Sequence, residues 1–370
     1  MKVQIWMGSA QGERLTLLEN VVRFHYVKAI NGAGYFTLAL PAHKSVDDLL
    51  TVDNFIQFWP EIDGRPLFDF IGFLRYWGWH GDDRGLIMTE LGGPDQNDLL
   101  RRRIVAYKAG TSQTELSGST LVDDGMKDIF YENFLAGATG ARNIASLGIT
   151  VDADQGAGPN LDRSFAYRRV VDILRDLNEA SRAAGTEVFF EVVVASLDEK
   201  GHPSLEFRTY TGQPGSDKTS GSAQPVIVGL EYGNLEIPQL IYDWRNTENY
   251  VYAGGQGEES DRNVQEVSNS DQIAMSPYNR CEGFAQANNE STNEGVQGAG
   301  YARLGKYAPI ARFTGYILGT EQTPYGSWGL GDRVTVVFRD RVVDAVIRRV
   351  EIMGRADTPT VARGYIEEYL

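Results

Sequence analysis

Short apolar runs alternate with turn-forming residues over the first hundred positions. The runs at 15–27, 35–40, 55–61, 67–76 and 86–90 are rich in aliphatic and aromatic side chains. Asn31-Gly32, Asp63-Gly64-Arg65-Pro66 and Asp82-Asp83-Arg84-Gly85 separate them, and such residues suit the tight turns of hairpins. Regularly spaced hairpins predict a small barrel or sandwich. Trp59, Trp77 and Trp79 fall on or beside these strands, which points to a core or an interface. The block closes at 99–105, LLRRRIV, read as a strand on which three arginines alternate sides and form a salt-bridged face.

The period then changes. Val122, Met126, Phe130 and Phe134 recur every fourth residue with Ile129 on the same face, which predicts an amphipathic helix interrupted by Gly125. Ser119-Thr120 and Asp123 resemble its capping box. In a second helix Ser164 is the cap, Val170, Ile173, Leu174 and Leu177 the buried stripe, and Gly185 the left-handed C-terminal residue. The apolar run 188–195 predicts a buried strand with 205–211 and 226–232 as neighbours. Between those neighbours, 211–224 (TGQPGSDKTSGSAQ) has the composition of a mobile loop.

The stretch 226–264 is the organising centre of the chain. It holds β-rich runs at 226–232 and 250–253, a polar connection between them, and a glycine turn ending in Gly257-Glu258-Glu259, with Arg262 beyond. Positions 269–302 are polar and poor in aliphatics, which predicts an extended surface excursion. β texture returns at 310–318, 334–338, 342–353 and 360–366, with turns at Gly319, Gly329-Leu330-Gly331-Asp332 and Gly354. The expected division is a first barrel-like domain at 1–115, an α+β domain at 116–240 and a second barrel-like domain at 241–370, with strands open to exchange between segments.

Composition narrows the function classes. A chain of 370 residues with 42% hydrophobic and 11% aromatic content can bury more than one core, and 41 glycines agree with many turns. A formal charge of −15 argues against a surface that grips nucleic acid, which needs cations to neutralise phosphates. The same charge suits solubility, or a wall that DNA slides past. Cys281 is the single cysteine, so no intrachain disulfide forms. The N-terminus is too short and polar for a signal peptide, and no apolar run reaches the length of a membrane span.

Motif by motif, the chemistry fails to assemble. Asp152-Ala153-Asp154-Gln155-Gly156 starts like a calcium loop, but Gly156 occupies a liganding position and Arg163 replaces the closing glutamate. Gly254-Gly255-Gln256-Gly257 lacks the lysine and hydroxyl of a phosphate loop, and Glu258-Glu259 would repel the ligand. Asp82/Asp83, Asp123/Asp124 and Glu258/Glu259 are sequence neighbours, which is no evidence for two carboxylates facing across a sugar. Cys281 has no histidine within 75 residues, and His25, His43, His80 and His202 make no metal spacing. Asn289-Glu290-Ser291 matches a glycosylation acceptor, but carries little meaning without a secretory signal. No catalytic, cofactor-binding or metal residues are therefore assigned. A carbohydrate-active β-protein, either a glycan hydrolase or a glycan-binding module, is the alternative that the acidic pairs and exposed aromatics leave open.

The order of features resembles the tail-hub (baseplate hub) proteins of siphophages and prophages. The resemblance rests on Gly34-Tyr35-Phe36-Thr37-Leu38-Ala39-Leu40-Pro41, Phe55-Ile56-Gln57-Phe58, Asp69-Phe70-Ile71-Gly72 and Leu99-Leu100-Arg101-Arg102-Arg103. It continues through Tyr232-Gly233-Asn234-Leu235, Asn249–Glu258 with Arg262, Arg280-Cys281-Glu282-Gly283-Phe284 and Tyr325–Val334, about nine tenths of the chain. It implies a mainly β fold with an α+β insert, built as two barrel-like domains that assemble as a pseudo-sixfold trimer without catalysis. It further implies a place at the virion's tail tip, and a hub that adapts sixfold tail rings to a threefold tip, closes the tail tube and forms the DNA exit channel. The partners implied are two more copies, the distal tail ring, the tail tube or tape-measure protein, and fibres or a spike; DNA only transits, and no membrane insertion is stable. Hubs of other injection machines share the fold. Tyr250, Tyr252, Glu258 and Arg262 are the expected subunit contact, because aromatics there flank a charged turn.

Overall fold

The structure, a computed structural model, describes every residue except 82–84, 107–114, 117–119, 139, 161–162 and 370, with the backbone alone at 115, 116, 163, 164, 259 and 369. The turn at Asp82-Asp83-Arg84 and Ser119 of the expected capping box lie outside the described residues. Two curled sheets dominate. Among the described residues the larger has eleven strands. Its main path runs Leu235–Asp243, Ile310–Leu318, Thr358–Tyr369, Arg341–Arg355, Arg23–Ala29, Tyr35–Pro41, Ile87–Pro94 and Tyr76–Gly81. Arg333–Phe338 adds to it and carries Ile227–Gly229 and Asp217–Lys218 in parallel. The smaller sheet joins Arg14–Leu17, Val3–Gly8, Phe55–Ile62, Phe70–Phe73 and Arg65–Pro66.

One long strand ties the two ends of the chain together. Arg341–Arg355 has 15 residues. One half of it pairs with Arg333–Phe338, and the other pairs with Arg23–Ala29 from Arg349↔Ala29 to Arg355↔Arg23. Its alternating residues Val350 and Ile352 are fully buried, as a period of two requires when one face meets the core. Tyr26, Phe36, Phe58 and Phe70 from the first hundred residues therefore share one hydrophobic cluster with Trp328, Val336, Ile347 and Ile366. The Tyr26 and Phe58 rings stand 4.6 Å apart at its centre.

The insert has its own core. The helices Val122–Phe134 and Val170–Ala183 cover a three-stranded sheet of Ile149–Val151, Pro203–Thr211 and Val188–Leu197. Every stripe residue expected on the first helix is fully buried, and Phe130 stacks on Phe134 at 4.5 Å and on Phe207 at 4.6 Å. Gly185 takes φ 92°, the left-handed C-terminal geometry expected of it. Neither cap is as expected. Leu121 and Arg169 occupy the N-cap positions without side-chain bonds, and Ser164 lies in the short strand Arg163–Ser164.

Several local expectations give way to tertiary structure. The run 15–27 breaks at Asn20, whose φ is 57°, into Arg14–Leu17 and Arg23–Ala29, which join different sheets. The segment 99–105 is not a strand: Asp98–Arg101 forms a helical turn. The run 226–232 shortens to Ile227–Gly229, pairs with Arg333–Phe338 rather than Val188–Leu197, and ends in a 3₁₀ turn. The polar connection that follows contains the nine-residue strand Leu235–Asp243. The loop 211–224 is fastened, with Ser216 N–H donating to Asp332 Oδ1 at 2.8 Å and Gly215 N–H to the Gly331 carbonyl at 3.0 Å. The excursion at 269–302 holds the helix Ser270–Ala274, the strand Glu282–Gln286 and most of the helix Asn293–Lys306.

Candidate interaction surface

Tyr250–Gly254 is the middle strand of a further sheet, antiparallel to Val264–Ser268 and parallel to Glu282–Gln286. Val251, Ala253, Val267 and Ala285 turn inward, where Val296 of the Asn293–Lys306 helix completes a small core. Alternation then sends Tyr250 and Tyr252 to the outer face. Their rings stand 5.1 Å apart. In register beside them are Glu266 and Ser268 on one strand, and Glu282 and Phe284 on the other.

Arg280 organises this face. The fully buried Asn249 places it, accepting the Cys281 N–H at 2.9 Å and donating to the Asn279 carbonyl at 2.5 Å. The Arg280 guanidinium lies 3.6 Å from the Tyr250 ring centre and donates to Glu282 at 2.6 Å and to the Tyr252 hydroxyl at 3.2 Å. Tyr250 donates its hydroxyl to Glu266. That bond raises the Tyr250 pKa, and Glu282 raises that of Arg280, so the first stays neutral and the second charged. Phe284 and Val264 are 43% and 45% exposed on the same face. The result is an exposed aromatic plate on which Arg280 and Glu282 pair and a tyrosine hydroxyl holds Glu266.

The four expected contact residues separate into two roles. Tyr250 and Tyr252 meet on the plate. Arg262 turns back into its own chain, donating to the Gly254 carbonyl at 3.1 Å, the Gly255 carbonyl at 3.2 Å and Asn288 Oδ1 at 2.6 Å. A side chain at Gly254 would stand 2.6 Å from that guanidinium, which is why the turn needs glycine there. Glu258 is exposed at the turn, and the Glu259 side chain lies outside the described residues. Arg280, Glu282 and Phe284 stood in the sequence only as one segment of a resemblance; their parallel pairing with Tyr250–Gly254 puts them here.

Two other segments of that resemblance meet inside the large core. Asp69 accepts a hydrogen bond from Tyr26 at 2.6 Å and one from Tyr325 at 2.8 Å, and it pairs with Lys28 at 2.5 Å. Lys28 also donates to the Tyr325 hydroxyl at 2.8 Å. Burial lowers the Lys28 pKa, but Asp69 and Tyr325 outweigh it and the net shift is upward. Burial and then the Asp69 charge raise both tyrosines. Lys28 therefore stays charged and the two hydroxyls stay protonated donors. This network clamps the two ends of the chain.

The acidic pair Asp123/Asp124 does structural work. Asp123 accepts the amides of Gln155 at 3.1 Å and Ala157 at 2.8 Å, and Asp124 accepts that of Gly156 at 3.3 Å. Lys127 donates to the Ala153 carbonyl, so the would-be calcium loop is tied to a helix. Arg101 and Arg102 each bond Asp98 at 2.6 Å, while Arg103 donates to the Asn133 carbonyl at 2.7 Å at the end of the Val122–Phe134 helix. Among the described residues no group of three or more histidine, cysteine, aspartate or glutamate side chains is placed to hold a metal, and no helix is long and apolar enough to cross a membrane.

Three solved tail proteins share this fold almost from end to end. The 43 kDa tail protein of prophage MuSo2 from Shewanella oneidensis matches with a TM-score of 0.59 at 13% identity, over 99% of this chain and 98% of its own. The tail protein from Neisseria meningitidis MC58 matches at 0.56 and 12%, over 100% and 97%. Prophage tail protein gp18 from Listeria monocytogenes EGD-e matches at 0.52 and 9%, over 99% and 94%. By fold, then, this chain is similar to bacteriophage tail proteins: mainly β, with curled, barrel-like sheets. The chain belongs to the Siphovirus ReqiPepy6 Gp37-like protein family, whose model matches residues 2–363. No curated protein sequence matches it.

Proposed function

We propose that this protein is a tail component, the baseplate hub, which acts by assembly and not by catalysis. Three copies form a ring at the virion's tail tip. The ring closes the tail tube, adapts the sixfold tail rings to a threefold tip, and encloses the channel through which DNA leaves. The observation that carries this reading is the pairing of Arg341–Arg355 with Arg23–Ala29, which makes the two ends of the chain one continuous sheet. With barrel-like units at 1–115 and 241–370, the second taking in strands Asp217–Lys218, Ile227–Gly229 and Leu235–Asp243 from the 116–240 segment that carries the insert, three copies then present six related units to a sixfold ring. Tyr250 and Tyr252 form the subunit contact, with Glu258 at its rim and Arg262 holding the turn that presents it. The remaining partners are the distal tail ring, the tube or tape-measure protein, and fibres or a spike.

Native mass and negative-stain images of the purified protein, alone and mixed with the phage's distal tail protein, test the proposal. Threefold rings with a central hole are expected. A protein that stays a compact monomer in both samples overturns it. A hydrolysis screen on polysaccharides and peptidoglycan is expected to be silent.

A further inference from the structure

The insert rests on the large sheet through side chains rather than through a shared ladder. Val188–Leu197 is an edge strand of the insert's sheet. Asn31 Oδ1 accepts its Phe190 amide at 2.9 Å, Asn97 Oδ1 accepts its Val192 amide at 2.7 Å, and Gln96 Nε2 donates to the Val192 carbonyl at 2.9 Å. Beside this clasp lies a cavity of about 280 Å³ whose wall includes Lys28, Asp69, Asp95, Gln96 and Glu191.

Charge on that wall does not balance. Lys28 is matched by Asp69 at 2.5 Å. Asp95 is 3% exposed and accepts only neutral donors, the Asn97 amide at 3.0 Å and Asn97 Nδ2 at 3.3 Å among them. Glu191 sits between Phe190 and Val192, and no ion pair holds it among the described residues. Its cross-strand neighbour Arg208 is taken by Glu206 at 2.5 Å. Asp98, the next carboxylate along from Asp95, is neutralised by Arg101 and Arg102.

We propose that Asp95 and Glu191 form a proton-operated latch between the insert and the large sheet. With the pair protonated, Asn31, Gln96 and Asn97 hold the 190–192 edge closed; with both ionised, their repulsion across the cavity opens it. Burial pushes the Asp95 carboxyl up to about 7, with Asp98 adding to the rise and hydrogen bonds from Gly34 and Asn97 opposing it. Glu191, half-buried on the cavity wall, is also taken to about 7 by burial, helped by the Asp95 charge and opposed by Lys28 and Arg208. The groups facing the pair hold their state: Lys28 is charged, and Tyr26, Tyr325 and Tyr210 are neutral, the last raised to about 12 by burial and Glu191. Both carboxyls lie above their unfolded range, so the closed state binds more protons. Its stability is complete at acid pH and is lost as pH rises through about 7.

Amide hydrogen exchange of the intact protein at pH 6 and pH 8, corrected for intrinsic rates, reads the clasp at Phe190 and Val192. Each group titrating near 7 weakens closure about tenfold over that interval. Wild-type protection at these two amides is expected to fall by at least that factor, while Val350 in the large sheet keeps its protection. Glu191→Gln or Asp95→Asn, the second serving should the first not fold, is expected to remove about tenfold of the fall. A flat wild-type profile, a fall shared by Val350, or a fall that the folded variants retain in full overturns the latch.

Discussion

Asp69 shows how much one carboxylate can hold. Removing its cation leaves a charge buried with only hydroxyl partners, so Lys28→Met is expected to cost about 3–5 kcal/mol in urea unfolding. Lys28→Met combined with Asp69→Leu is expected to recover most of that loss, because the uncompensated charge is gone. Tyr325→Phe removes one donor of several and is expected to cost about 1–2 kcal/mol. A Tyr325→Phe loss equal to that of Lys28→Met would place the weight of the network elsewhere. At this scale the sequence was only half legible. Asp69 and Tyr325 stood out as members of separate segments, but a contact across 256 positions leaves no local period to read. Arg262 was legible as a residue, but not its bonds to the Gly254 and Gly255 carbonyls and to Asn288.

Among elements, the Val122–Phe134 and Asn293–Lys306 helices are opposites. The first announces itself because its apolar stripe is wide and regular, and its burial follows that stripe. The second carries four glycines in its 14 residues and reads as loop. Its glycines permit close approach: a side-chain carbon at Gly300 would stand 2.5 Å from Val267 Cγ2, and one at Gly305 would stand 2.9 Å from the Glu179 carbonyl. In an open helix Gly→Ala gains about 1 kcal/mol. Here Gly300→Ala and Gly305→Ala are each expected to lose about 1–2 kcal/mol in urea unfolding, because packing outweighs propensity. Stabilisation in either variant would show that the helix packs more loosely than its glycines imply.

For the whole molecule, charge and surface set the terms of assembly. Copies carrying −15 each repel, so self-association is expected to tighten as salt rises from 50 to 300 mM. Sedimentation velocity reads the change, and association that weakens with salt would point to an interface made of ion pairs. Tyr250→Ala with Tyr252→Ala is expected to reduce assembly tenfold or more while moving the melting temperature little, because both rings lie on the outer face. Unchanged assembly in that pair would remove the plate from the interface. Arg262→Ala is the poorer probe, since it also frees the carbonyls of Gly254 and Gly255.

The sequence by itself determined the β texture, the two helices of the insert and the siphophage resemblance that the family match upholds. These are local or ordered properties: alternation, a period near four, turn chemistry and the succession of segments. The tertiary structure alone decided that Arg341–Arg355 stitches the first residues to the last, that a glycine-rich stretch is a packed helix, and that Arg280 lies over Tyr250. It also brought Asp95 to the same cavity as Glu191. Each of these depends on pairing between distant segments, where burial and close packing outweigh the propensity of any one residue.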